Sequence, residues 1–175
     1  MVDPALEEKE LLDKILLTKD NFKFIPSYNE DRTDRLRMTN PTDSLITFKI
    51  KSTRLKQLGS KPSYGILKAK RGMYITVKFY KLTGEFDCNP DHLTIYLAVL
   101  PKDKESMKPS QFWKTSPPAV TRRVVINVEY DSAIEGVPPT PGVEPAAPAA
   151  PPPAEGAPEK KEGEGEDEEE GEEGE

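Results

Sequence analysis

The sequence predicts an all-β fold, an antiparallel sandwich of two sheets, preceded by a short N-terminal helix and followed by a disordered acidic tail. Three observations indicate this class. About seven short segments between residues 21 and 130 alternate apolar and polar side chains with a period of two. Proline and glycine separate these segments, and no strong helical pattern joins consecutive strands, as a parallel sheet would require. The composition also changes abruptly near residue 131.

This change divides the chain into a basic body and an acidic tail. The 175 residues carry a formal net charge of −6. Residues 1–130 hold 23 Lys/Arg and 16 Asp/Glu, a net +7, whereas residues 131–175 hold 2 and 15, a net −13. The tail has too few large apolar residues to offset the entropy lost on ordering. We therefore predict a helical extension at 1–16, a β domain at 17–130, a Pro/Ala-rich linker at 131–158 and a disordered acidic tail at 159–175.

The N-terminal segment 5–17 has the spacing of a short amphipathic helix. Leu12, Ile15 and Leu16 fall on one helical face, and Asp3 and Pro4 suit the N-cap and the first helical position. We expect this helix to dock on the domain; the alternative is a frayed arm.

The predicted strands follow in chain order. The period-two segments are 21–25, 34–40, 44–52, 73–80, 92–100 and 121–130, and the segment 64–72 is a short apolar piece that ends in a basic turn. A turn at 40–43 joins the second and third, because proline presets φ at its second position. In the strand 44–52, alternation places Ile46, Phe48 and Ile50 on the core face. The opposite, open face then carries Thr47, Lys49 and Lys51.

The connection 101–120 is long and contains the only tryptophan. Phe112 and Trp113 stand next to each other in it. We predict that they cap the sandwich core; the alternative is an exposed recognition patch.

Catalytic and cofactor chemistry is not indicated. Cys88 and His92 are the only residues of their types, and two such ligands cannot complete a zinc site. The two residues are four positions apart, where a loop passes into a strand, and this spacing gives no defined geometry for a Cys–His nucleophile pair. We predict no enzyme, no cofactor and no metal. A single cysteine, an acidic N-terminus and the absence of a long apolar run lead us to expect a cytoplasmic protein without a membrane span.

Basic residues crowd the middle of the body. They are Lys49, Lys51, Arg54, Lys56, Lys61, Lys68, Lys70 and Arg71. No aromatic residues interleave with them as a single-strand stacking platform requires, so we do not predict a nucleic-acid site. The favoured interpretation is a patch for acidic protein segments; the alternative is an ordinary solvated face.

Three segments together resemble one family. They are "LRMTNPTDSLITFKIKST" (36–53), "LKQLGSKPSYGILKAK" (55–70) and "RRVVINVEY" (122–130). They are similar to the major sperm protein (MSP) domain, which occurs in the nematode sperm cytoskeletal protein and in the VAP proteins of membrane contact sites. The resemblance covers roughly residues 17–130. It implies an immunoglobulin-like, seven-stranded antiparallel sandwich.

The VAP branch of the resemblance implies a peptide-binding strand. In VAP proteins a Lys-x-Lys-Thr-Thr strand and a neighbouring Lys-x-Met strand bind acidic peptides with two aromatic residues. Here serine replaces one threonine, and a histidine and a threonine stand where the second pair would be. The predicted partner-binding residues are Lys49, Lys51, Ser52, Thr53, Arg54, His92 and Thr94.

The sperm branch is the closer one, through the Leu-Gly before Pro62 and the Arg-Arg…Glu-Tyr end. It implies a structural or accessory protein of the MSP cytoskeleton in the sperm pseudopod, with MSP subunits or filaments as partners; a homodimer is also compatible with this branch. The added helix and tail favour an accessory role. We hypothesise that the tail competes with acidic partners for the basic strand; the alternative is that it only aids solubility.

Overall fold

The structure, a computed structural model, describes residues 3–138. The predicted acidic tail at 159–175 and most of the predicted linker at 131–158 lie outside the described residues.

The N-terminal helix α1 runs over Pro4–Asp13, and its N-cap is as predicted. The side chain of Asp3 accepts a hydrogen bond from the backbone N–H of Ala5 at 3.0 Å, and Pro4 opens the helix. Leu12 is buried in the main core, and the Arg122 guanidinium donates to the carbonyl oxygen of Leu12 at 2.8 Å. The helix is therefore docked and not a frayed arm.

The prediction is wrong for the C-terminal end of this helix. The helix ends at Asp13, and Leu16–Leu17 form a two-residue strand instead. Leu16 was placed on the buried helical face, but it is 60% exposed. The reason is tertiary, because residues 16 and 17 pair with Thr39 and Met38 at the edge of the next sheet.

Nine strands lie within residues 3–138. They are β1 (Leu16–Leu17), β2 (Asn21–Phe24), β3 (Arg32–Asn40), β4 (Ile46–Ser52), β5 (Leu58–Lys61), β6 (Tyr64–Leu67), β7 (Arg71–Phe79), β8 (Asp91–Val99) and β9 (Arg122–Tyr130). One sheet has the order β1-β3-β7-β5, and the other has the order β2-β9-β8-β4-β6. The predicted two-sheet sandwich is confirmed. The two strands beyond the predicted seven are β1 and β5.

One strand pair departs from the antiparallel prediction. β2 runs parallel to β9, with Phe22 opposite Val128 and Phe24 opposite Tyr130. The two strands lie at opposite ends of the domain sequence, so no tight turn sets their relative direction. The other strand pairs of the two sheets are antiparallel.

The core lies between the two sheets, and the alternation of β4 supplies part of it. Ile46 and Phe48 are fully buried, and Ile50 is buried to 8% exposure. From the facing sheet, Leu36 and Met38 of β3 join the same cluster. The inward-facing residues of β4 were therefore predicted correctly.

The turn at 40–43 is organised by the buried side chain of Asn40. Its amide nitrogen donates to the carbonyl oxygens of Ser44 at 2.8 Å and Leu67 at 3.2 Å. Its carbonyl oxygen accepts from the backbone N–H of Thr42 at 3.0 Å. This side chain thus ties the β3–β4 turn to the end of β6.

Gly65 is required because the ring of Phe48 lies directly over it. A Cβ at this position would lie 2.6 Å from Cζ of Phe48, which is itself fully buried. We expect Gly65→Ala to lower the free energy of unfolding by about 1–3 kcal/mol, because the extra methyl overpacks the core. Urea denaturation measures this. Gly84→Ala is the matched control, since no atom lies within 4 Å of its added Cβ; equal losses for the two variants would contradict the explanation.

Candidate partner-binding site

A short helix covers one end of the outer face of the five-stranded sheet. This helix, α2 (Pro109–Thr115), carries Phe112 and Trp113, which are buried to 2% and 7% exposure. The predicted burial is therefore correct, but the location is not. The two rings pack on Ala98 and Leu100, outside the sheet, and do not cap the main core.

The same helix closes the end of β4 that was predicted to be open. The Trp113 indole Nε1–H donates to Oγ1 of Thr47 at 3.1 Å, and Thr47 in turn donates to the carbonyl oxygen of Gly65 at 3.2 Å. Thr47 is fully buried as a result. The open part of this face therefore begins at Lys49.

Lys49 and Lys51 lie on aromatic rings, without acidic partners among the described residues. Nζ of Lys49 is 4.8 Å from the ring centre of Trp113 and 5.1 Å from that of Tyr96. Nζ of Lys51 is 5.8 Å from the ring centre of Tyr96. Neither lysine forms a salt bridge with a carboxylate in residues 3–138. The rings hold the two ammonium groups in place, and they leave the positive charge without a compensating carboxylate in this part of the chain.

The strand register places these side chains in one continuous surface. Lys49 lies between Tyr96 of β8 and Tyr64 of β6, and Lys51 lies opposite Thr94 of β8. We call this surface the lysine face; it consists of Lys49, Lys51, Tyr64 and Tyr96, whereas Thr94 lies on the same side of the sheet but is only 5% exposed. Sequence reasoning identified the lysines and Thr94 but missed the tyrosines. The alternation of β8 places Tyr96 on the outward side, which was the available signal.

Ser52, Thr53 and His92 close the end of the β4–β8 ladder next to the lysine face. The Ser52 hydroxyl accepts from the backbone N–H of Arg54 at 3.1 Å. The Thr53 hydroxyl donates to Oδ1 of Asp91 at 2.9 Å and accepts from the backbone N–H of His92 at 3.0 Å. The structure thus brings these predicted residues together, with both hydroxyl groups hydrogen-bonded inside the domain.

Arg54 is engaged within the domain. Its Nε donates to Oδ2 of Asp91 at 2.6 Å, and its Nη2 donates to Oδ1 of Asp87 at 2.9 Å. Its guanidinium carbon also lies 4.7 Å from the ring centre of Phe86. Of the predicted basic partner-binding residues, only Lys49 and Lys51 keep an uncompensated charge within residues 3–138.

Asp91 is the centre of this cluster, because Tyr130 also donates to its Oδ2 at 2.8 Å. Burial acts to raise the pKa of Asp91, but hydrogen bonds from Arg54, Tyr130 and Thr53 together lower the pKa below its ordinary value. Burial, followed by the hydrogen bond to Asp91, raises the pKa of the Tyr130 phenol. The ionised Asp91 carboxylate therefore holds the loop after β4 in place.

Two further observations concern residues 3–138 only. No group of three or more His, Cys, Asp or Glu side chains is placed there to hold a metal ion. No helix in this range has both the length and the apolar character needed to cross a membrane.

The fold agrees with a family match. A model of the MSP (major sperm protein) domain matches residues 16–118, more than half of the chain. The chain belongs to the MSP domain family. The MSP domain family as a whole is a non-enzymatic protein-interaction fold. The match ends before β9, yet β9 pairs with both β2 and β8 inside the five-stranded sheet.

Solved structures of MSP-family members are similar to this chain. WR4, a Caenorhabditis elegans MSP family member, is 17% identical, with 67% of this chain and 97% of WR4 covered and a TM-score of 0.55. SSP-19, an MSP-domain protein-like family member of the same organism, is 17% identical, with 61% and 92% covered and a TM-score of 0.47. At such identities the likeness to WR4 shows the fold alone. No curated protein matches the sequence significantly.

Proposed function

We propose that this chain is a non-enzymatic accessory protein of the MSP cytoskeleton, which binds MSP subunits or filaments and modulates fibre assembly in sperm motility. The lysine face carries the proposal. Two ammonium groups lie on aromatic rings, without a carboxylate partner in residues 3–138, in a domain whose family is an interaction fold. The cytoplasm of the sperm pseudopod is the corresponding location.

The chemistry of the lysine face defines what it binds. Lys49 and Lys51 are two positions apart on one strand, so their side chains leave the sheet roughly 7 Å apart. Two carboxylates of an acidic segment can pair with them at this spacing, and an apolar or aromatic side chain can pack on Tyr64, which is 37% exposed. We expect the partner surface to be acidic, with apolar groups between the charges.

The test is co-sedimentation of the full chain with purified MSP filaments. We expect the chain to pellet with filaments at low salt and to be released as the salt concentration rises, because exposed charge pairs are screened. A chain that stays in the supernatant at both salt concentrations would contradict the proposed function.

A second candidate is a VAP-like adaptor that binds acidic peptide motifs. The observation that favours it is the register of β4 and β8, which sets Lys51 opposite Thr94 as neighbouring strands of a VAP-like groove, although His92 and Thr94 replace the Lys-x-Met pair of that groove. A pull-down separates the two candidates. Recovery of MSP favours the accessory function, and recovery of acidic peptides with two aromatic residues favours the adaptor.

A further inference from the structure

The outer face of the four-stranded sheet carries a second group of positive charges that no carboxylate of the described range compensates. Arg35 and Arg37 point outward from β3, and both are exposed. Neither forms a salt bridge with a carboxylate of residues 3–138. The outward positions of β3 and β7 carry no Asp or Glu, and Lys61 of β5 adds a third cation opposite Thr76.

Arg37 is held in place beside an exposed aromatic ring. Its guanidinium carbon is 5.7 Å from the ring centre of Tyr74, which is 59% exposed. The absence of a side chain at Gly72 leaves room for this arrangement, since a Cβ there would lie 3.0 Å from Nε of Arg37. The guanidinium is thus positioned against the sheet before a partner binds, and its donors can pair with a carboxylate.

An exposed apolar side chain completes this surface. Leu16 of β1 lies opposite Thr39, on the same outward side as Arg37, and is 60% exposed. We call the surface the arginine face; it consists of Leu16, Arg35, Arg37, Lys61, Tyr74 and Thr76. It combines cations with an apolar and an aromatic anchor, the composition of a protein-binding site.

We propose that the arginine face binds a second acidic protein segment, so that the MSP domain is bivalent and bridges two partners. The inference rests on the proposed function for the lysine face. The two faces belong to different sheets, whose backbones lie about 10 Å apart, and they point in opposite directions. One short segment cannot occupy both faces, and two bound partners are therefore joined through the sandwich.

Charge decides between possible occupants of the arginine face. A second copy of the chain, paired through this face by two-fold symmetry, would bring Arg35 and Arg37 against the same arginines, and like charges repel. Nucleic acid is disfavoured, because a few cations are too few to follow a phosphate backbone. An acidic protein segment needs only two or three carboxylates at this surface.

The test is calorimetric titration of the full chain with a synthetic peptide of four glutamates around one tyrosine. We expect two peptides per chain, and one for each of the double variants Arg35→Glu/Arg37→Glu and Lys49→Glu/Lys51→Glu. Lys9→Glu/Lys14→Glu, an exposed pair on and beside α1 with the same charge change, is expected to keep two. Arg35→Gln/Arg37→Gln removes the charge without reversal and is expected to weaken the second site at least tenfold. Circular dichroism confirms that each variant is folded.

Three results would overturn the bivalent site. They are a stoichiometry of one or none in the unaltered chain, a stoichiometry of two that the arginine variants leave unchanged, and arginine variants that lose duplex DNA binding but keep both peptides. The co-sedimentation experiment judges the proposed function separately. Filament binding with a single peptide site would retain the proposed function and reject the second site.

Discussion

Replacing Lys49 and Lys51 together with glutamate is expected to weaken binding of the full chain to MSP filaments by roughly 100-fold. The two ammonium groups meet no carboxylate in residues 3–138, so their charge is available to the partner. Reversal places two carboxylates against an acidic surface, and the attraction becomes repulsion. Co-sedimentation over a range of chain concentrations measures the change in affinity.

Two comparisons make this result specific to the lysine face. Lys9→Glu/Lys14→Glu changes the net charge equally and is expected to alter the affinity less than threefold. Lys49→Gln/Lys51→Gln removes charge without reversal, and we expect an intermediate loss. If the glutamate variant binds filaments as tightly as the unaltered chain, the partner docks elsewhere on the domain.

Asp91→Ala is expected to lower the free energy of unfolding by about 2–3 kcal/mol at pH 7. The carboxylate accepts hydrogen bonds from Arg54, Thr53 and Tyr130, so its removal leaves three donors without this acceptor, and the Arg54 guanidinium keeps only its bond to Asp87. Urea denaturation followed by the fluorescence of the single tryptophan measures this loss. Asp87→Ala is the matched control. Its carboxylate side chain is 56% exposed, and we expect a clearly smaller loss because solvent screens its pair with Arg54.

The same cluster ties stability to pH. The pKa of Asp91 is lower in the folded protein than its ordinary value of 3.8. The stabilisation is therefore present above about pH 4 and is lost as the pH falls through the lower, folded pKa. Asp91→Asn lacks this titration, so its stability is expected to fall less on acidification. Equal acid sensitivity in both proteins, or an Asp91→Ala loss no larger than that of Asp87→Ala, would contradict the role given to the cluster.

Most of the longer strands were predictable because their side chains alternate between a buried face and an open face. The alternation of Ile46, Phe48 and Ile50 is a local signal, and the core confirms it. The end of α1 was not predictable in this way, because Leu12, Ile15 and Leu16 fit a helical face equally well. The pairing of Leu16 with Thr39 makes this segment a strand, and such pairing depends on residues that are distant in the sequence.

The contrast between local alternation and tertiary contacts also explains which residues of the candidate site were predictable. Lys49 and Lys51 follow from alternation within one strand. Tyr64, Tyr96 and Trp113 reach them only through strand register and through the position of α2, which are tertiary features. The salt bridge between Arg54 and Asp91 was also not predictable, because Asp91 lies 37 residues further along the chain.

The most direct test of the lysine face as the partner-binding surface is a two-dimensional amide NMR spectrum of the full chain, recorded during titration with MSP subunits. We expect the largest shifts to include the backbone amides of Lys49, Lys51 and Tyr96 and the Trp113 indole N–H, which belongs to the ring that Lys49 contacts. Saturable binding that leaves these four resonances unchanged, with shifts confined to other strands, would contradict a partner-binding role of the lysine face.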